Sequence, residues 1–244
     1  MTIQERLSAA VAASAADLPG PELLPERLAK ASAAVLSVDG AGISLFFVPD
    51  RRLPLGASDN SAAQAERLQF TVGEGPCLSA HAEGRAVVAD EDTIRSRWPM
   101  FYDELATRSE IRGVVSLPLE DELRGFGALD LYVIPPNDVR TVPLSDARTV
   151  AREVSAIFQA ASRPASQRAD GPAWLDAPAA DRRSLVWQAM GVLNAGLEVS
   201  SAHALALLRA HAYSLGRDLD DLASAVVNRE LPLEQLGFGE DIIR

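Results

Sequence analysis

The sequence predicts an α+β domain, an antiparallel sheet flanked by helices within the wider α/β class, followed by a small all-α domain of three helices. Three observations predict it. Apolar residues recur at helical spacing near the start of the chain and again over residues 147–161. Between those stretches lie short β-branched and aromatic runs separated by turn residues. After a proline-bearing stretch the strand signals stop, and only helical spacing punctuated by Ser, Asp and Gly remains.

Ile3, Leu7, Ala10, Val11 and Ala15 predict the first helix, and Leu24, Leu28, Ala31, Val35 and Val38 the second. Residues 43–48 are a strand run after Asp39-Gly40, and Pro49-Asp50 turns it back toward Leu53-Pro54-Leu55. Val87-Val88, residues 113–119 and residues 126–134 complete the sheet, the last two joined by a turn at 120–125. In the last strand Leu129, Leu131 and Val133 face one way, and Ala128, Asp130 and Tyr132 the other. The first face calls for helices; the second is suited to line a cavity. Ala147, Val150, Val154, Ile157 and Ala161 then form a 3-4 spaced stripe that suits a helical dimer seam or packing on the chain's own sheet.

Residues 162–180 hold Pro164, Pro172 and Pro178 among small and polar residues, a composition that neither propagates a helix nor builds a core. They read as a linker between a domain at 1–161 and a second at 181–244, with Trp174 and Leu175 as the large apolar residues available to dock. In the second domain Leu185, Val186, Ala189, Val192 and Leu193 make the first apolar face, ended near Gly196. Ser200 or Ser201 caps a helix bearing Leu205, Leu208, Ala212 and Leu215, and Gly216 ends it. Asp218 caps a third with Leu219, Leu222, Ala223, Val226 and Val227. Three short helices are too small to enclose a deep catalytic cleft, so the unit reads as a binding module.

Composition narrows the chemistry. Cys77 is the single cysteine and the three histidines form no HExxH, which argues against an internal disulfide, a multi-thiolate zinc site and metal catalysis. Lys30 is the single lysine and no glycine precedes it, so there is no P-loop. With no nucleophile, base and acid in a recognisable constellation, no enzyme activity and no cofactor are expected. The net charge of −11 repels polyanions, so nucleic-acid contact requires a local patch. No run approaches the length of a membrane span and no apolar leader follows the first residues, so a cytoplasmic protein without membrane contact is expected.

Gly73-Glu74-Gly75-Pro76-Cys77, Arg97-Trp98-Pro99 and Gly113-Val114-Val115-Ser116-Leu117-Pro118-Leu119, in this order of helices and strands, resemble a GAF sensor domain over about residues 22–161. Gln188-Ala189-Met190-Gly191-Val192-Leu193, then Ala204 with Leu207-Leu208-Arg209 and Ala212, then Leu222-Ala223 and Val226-Val227, resemble the ANTAR domain, an RNA-binding antitermination module. A GAF domain followed by ANTAR is a known arrangement of bacterial regulators. The resemblance implies a small-molecule or partner sensor coupled to a module that binds RNA hairpins as a homodimer and promotes transcription antitermination. Met190 stands where that family commonly has lysine, and the acidic positions before the second-helix alanine are Ala202 and His203.

The candidate RNA-binding residues are the cations Arg182, Arg183, Arg209 and Arg217 with His211, and Trp187 and Met190, which share an outer helical ridge with Arg183 and could stack on an unpaired base. Trp187 and Met190 equally suit a protein contact, in which case the chain is a dimeric interaction scaffold. For a sensor ligand the candidates are Gly73 and Gly75, whose backbone could cradle an anion at a helix start, with Cys77, Asp130 and Tyr132. Cys77 behind Pro76 is either a thiol activated by the helix dipole or an inert core thiol.

Overall fold

The computed structural model describes residues 1–47, 52–162 and 171–236. Its sheet has five antiparallel strands, β1 (Gly40–Phe46), β2 (Arg52–Ala57), β3 (Val87–Ala89), β4 (Gly113–Pro118) and β5 (Gly127–Val133), in the order β2-β1-β5-β4-β3. This is the sheet-and-helix architecture that the GAF resemblance implies. The Pro49-Asp50 turn, residues 163–170 of the proposed linker and residues 237–244 lie outside the described residues.

Each face of the sheet is covered, which is why the strands read as nearly continuous apolar runs. On one face Leu129, Leu131, Val133, Val115 and Leu117 pack under α1 (Ile3–Ser14), α2 (Leu24–Leu36) and α7 (Leu144–Ser162). α3 (Asn60–Val72), α4 (Pro76–Glu83), α5 (Glu91–Arg97) and α6 (Pro99–Arg108) supply the other layer, with Leu68, Ala80, Ile94, Phe101 and Leu105 meeting Val114 and Tyr132. Asp59 starts α3 by accepting from the amides of Ser61 (2.8 Å) and Ala62 (3.0 Å), and left-handed Gly73 (φ 79°) ends it.

α8 (Pro178–Leu197), α9 (Ser201–Ser214) and α10 (Leu219–Val227) form the expected three-helix unit around Val186, Ala189, Leu193, Ala204, Leu208, Ala212, Leu222 and Val226. Its core also contains Phe70 from α3, and Trp187 of α8 packs against both this core and the one beneath α1, α2 and α7.

Several expectations are corrected. Trp174, Ala177 and Ala180, placed in a linker with little core, are buried in the first cluster; Trp174 packs on Phe158 with ring centres 4.9 Å apart. The stripe on α7 covers the chain's own sheet, with Ala147, Val150 and Val154 buried and Ile157 and Ala161 packed beside them. Leu7 of α1 is buried there too. On α8 the buried arc is Arg183, Val186, Ala189, Met190 and Leu193, whereas Val192 is exposed. That arc differs from the expected one because Arg183 packs on Phe70 of α3 beside Asp220, and Met190 joins the core shared with α9 and α10. Asp218 precedes α10 but makes no side-chain cap. Among the described residues no single helix is long and apolar enough to cross a membrane.

Candidate functional site

The site is built on α3, whose two faces do different work. Glu66 and Gln69, three residues apart, point into the sheet layer; Arg67, Phe70 and Thr71 point at the C-terminal helices.

On the inward face a polar cluster occupies the position where a cavity was expected. Arg52 of β2 is buried and donates to the Glu66 carboxylate, to the Glu66 carbonyl (2.8 Å) and to Cys77 Sγ (3.3 Å), and lies 3.6 Å from Asp130. Tyr132 donates its hydroxyl to Glu66 Oε1 (2.5 Å), and Ser44 donates to Glu66 Oε2 (2.7 Å). Gln69 Nε2 donates to Asp130 (3.4 Å) and Tyr132 (3.3 Å), while its Oε1 accepts the amide of Cys77 (2.9 Å). Gly42 admits this cluster, because a Cβ there would lie 2.3 Å from Glu66 Oε1.

Burial dominates the titration of these groups. It raises Asp130 well above the ordinary carboxylate range, with Glu66 adding repulsion and Arg52 opposing, so Asp130 carries the proton of the pair. Glu66 resists the same burial because Arg52 and three hydrogen-bond donors hold its charge, and its pKa is lowered. Burial alone would discharge Arg52, but Cys77, Glu66 and Asp130 around it outweigh that and raise its pKa. Burial pushes the Cys77 thiol up against the pull of Arg52, and the Tyr132 phenol up as well, so both are neutral near pH 7. An activated thiolate at the helix start is therefore not what this pocketless, buried cysteine provides.

The sequence candidates Cys77, Asp130 and Tyr132 are thus brought together, filling the space in which a ligand was expected. Gly73 and Gly75 do not join them as an anion cradle. Gly73 ends α3 against the Arg209 guanidinium, and Gly75 (φ 141°) has Gln69 where a Cβ would stand, 2.5 Å from Oε1. Sequence reasoning missed Arg52, Glu66 and Gln69. Their signal was polar residues interrupting an apolar helix face and an apolar strand.

The outward face of α3 holds the C-terminal unit. The Arg183 guanidinium carbon lies 3.7 Å from the centre of the Phe70 ring, and that of Arg209 4.9 Å from the same centre. Arg209 Nε also donates to the Phe70 carbonyl (3.0 Å). Arg183 is fully buried, and its Nη2 lies 3.4 Å from Asp220 Oδ2. Burial pushes its pKa down to about 10 against the pull of Asp220, which leaves it charged at neutral pH. Asp218 accepts from Arg67 Nε (3.0 Å), from Gln64 Nε2 (3.3 Å) and from Arg108.

The candidate RNA surface is divided by this packing. Arg183, Arg209 and Met190 are committed to the seam or the core, and Trp187 packs against both clusters. His211 contacts the carbonyls of Leu207 (3.0 Å) and Gln235 (2.9 Å). Arg217 donates to the Asp221 carbonyl (3.3 Å) on the surface, and Arg182 is exposed beside the seam. Among the described residues no group of three or more His, Cys, Asp or Glu is placed to hold a metal ion.

No protein-family model matches the chain, and no curated protein matches it. Among solved structures it is similar to the free methionine-R-sulfoxide reductase of Neisseria meningitidis, at 22% identity and a TM-score of 0.45, over 67% of this chain and 91% of that one. It is also similar to the GAF domain of a phosphoenolpyruvate-protein phosphotransferase from Coxiella burnetii, at 13% identity and a TM-score of 0.44, over 67% of this chain and 98% of that one. A GAF domain of Synechocystis in its photoproduct state is similar at 16% identity and a TM-score of 0.46, over 61% of this chain and all (100%) of that one.

Proposed function

We propose that this chain is a signal-responsive regulator in which a GAF-like sensor holds a C-terminal helical effector, and that the effector binds RNA hairpins to promote antitermination when it is released. One observation carries the reading. Arg183 and Arg209, the two cations that the sequence assigns to RNA, both lie over Phe70 of α3, so the docked arrangement withholds them. The same helix carries Glu66 and Gln69 into the sensor's polar cluster, so a shift of α3 on its inner face would move the contacts on its outer face. RNA hairpins as the partner come from the sequence resemblance, and phosphate binding needs those two arginines.

The test is hairpin binding at low salt by the intact chain and by Asp218→Ala, which loosens the seam without removing an arginine. Tighter, salt-dependent binding by Asp218→Ala than by the natural chain supports the reading. Equal absence of binding in both sinks the RNA output. The second reading, a ligand-responsive dimeric interaction scaffold that does not bind RNA, is favoured by Met190, which is buried in the helical core at the position where the ANTAR family commonly has lysine, so no cation is presented there.

A further inference from the structure

Arg183 is fully buried where α8 meets α3, and among the described residues none of its three side-chain nitrogens donates a hydrogen bond. Its ion partner Asp220 is 6% exposed. Asp220 Oδ2 lies 3.4 Å from Nη2, longer than the about 2.8 Å of a charge-assisted hydrogen bond, and its Oδ1 has no donor among the described residues. The guanidinium is closed off by the Phe70 ring at 3.7 Å, a ring it shares with Arg209 at 4.9 Å. Burial brings its pKa down to about 10 in spite of Asp220, and Arg52 of β2 and Arg209 add repulsion.

Other contacts across the seam are well made. Asp218 accepts from Arg67 (3.0 Å) and Gln64 (3.3 Å), the Leu219 amide donates to Thr71 (3.3 Å), and Arg209 donates to the Phe70 carbonyl (3.0 Å). These favour docking. Burying an ion pair without hydrogen bonds costs more in desolvation than its attraction returns, and both groups regain water once Phe70 withdraws. We infer that the Arg183–Asp220 pair opposes docking and acts as a built-in counterweight that keeps the C-terminal helices releasable. Its role rests on the docked arrangement proposed above: a cation needed for phosphate is stored where holding it is unfavourable. An equilibrium so balanced shifts with a small change on the inner face of α3.

The experiment is hydrogen exchange of the full chain. The Leu219 amide reads docking, the α9 amides the fold of the helical unit, and the β5 amides the first domain. Arg183→Met combined with Asp220→Leu, which replaces the pair by apolar side chains, is expected to slow Leu219 exchange about tenfold or more relative to α9 and β5. Arg183→Gln combined with Asp220→Asn removes both charges more gently; it is expected to act in the same direction and decides the matter if the apolar pair does not fold. Unchanged or faster Leu219 exchange in the folded paired variants overturns the counterweight and leaves docking standing. Equal slowing at Leu219 and in α9 places the effect in the helical unit's own fold and overturns it as well. An unprotected Leu219 amide in the natural chain overturns docking and the counterweight together. Hairpin binding does not enter this measurement, so its failure would sink the RNA output alone.

Discussion

The amide of Leu219, the first residue of α10, donates to Thr71 Oγ1 of α3 at 3.3 Å. Asp218, the residue placed to cap that helix, gives its carboxylate to Arg67 of α3 and Arg108 of α6 instead. The helix start is therefore completed by another part of the chain, and undocking leaves an amide without its cap.

Thr71→Val should keep the shape of α3 and remove this cap, at a cost of about 1 kcal/mol, the usual worth of an N-cap hydroxyl. Urea unfolding reads the loss. Exchange at the Leu219 amide should rise more than exchange in the sheet, and a uniform rise would place the effect elsewhere.

Phe70→Ala should be far more damaging than its position on α3 of the first domain suggests. The ring is 1% exposed inside the C-terminal core, and truncating such a ring costs about 3–5 kcal/mol. It also strips two guanidinium groups of their aromatic partner. Phe70→Leu, which keeps the apolar volume and loses the ring, should separate the two effects; calorimetric unfolding of both variants measures it.

Asp130→Asn tests the shared proton. The folded pKa of Asp130 is raised by burial and by Glu66, so the fold favours the protonated acid. Below the unfolded value of about 3.9 there is no cost; above it the unfolded chain releases a proton that the folded chain keeps, and stability falls until the folded pKa is passed. Asparagine removes that slope, so its advantage over the natural residue should grow from about pH 4 upward. The lowered pKa of Glu66 works oppositely, with stability present above the unfolded pKa and lost on acidification, and should persist in the variant. Urea midpoints across this range decide it; a pH-independent difference would mean that Asp130 is not held protonated.

Cys77 should resist thiol reagents in the native protein at neutral pH and react on unfolding. It is fully buried, its pKa is raised by that burial, and Arg52 already donates to its sulfur. Labelling by a maleimide, followed by mass, should track the rate of opening and not the reagent concentration. Rapid labelling of the folded chain would restore the reading of a thiol activated at the helix start.

The sequence by itself determined the strands, the first two helices, the helix at 147–161, the three C-terminal helices and the character of each sheet face, because those depend on local periodicity; α3, α5 and α6 were not read from it. Leu129, Leu131 and Val133 against Ala128, Asp130 and Tyr132 is an alternation that any strand enforces. Only the tertiary structure decided what the polar residues do. Arg52, Glu66 and Asp130 are separated in the chain, and nothing local reveals that one guanidinium will lie between a carboxylate and a protonated carboxyl group. The wheel of α8 failed for the same reason: periodicity finds an apolar face, but Arg183 is buried by Phe70 of α3 and Asp220 of α10, and Met190 by the core it shares with α9 and α10. Asp218 is a cap by its spacing and an inter-domain anchor by its surroundings, since a carboxylate goes to the two arginines beside it in preference to its own helix amides.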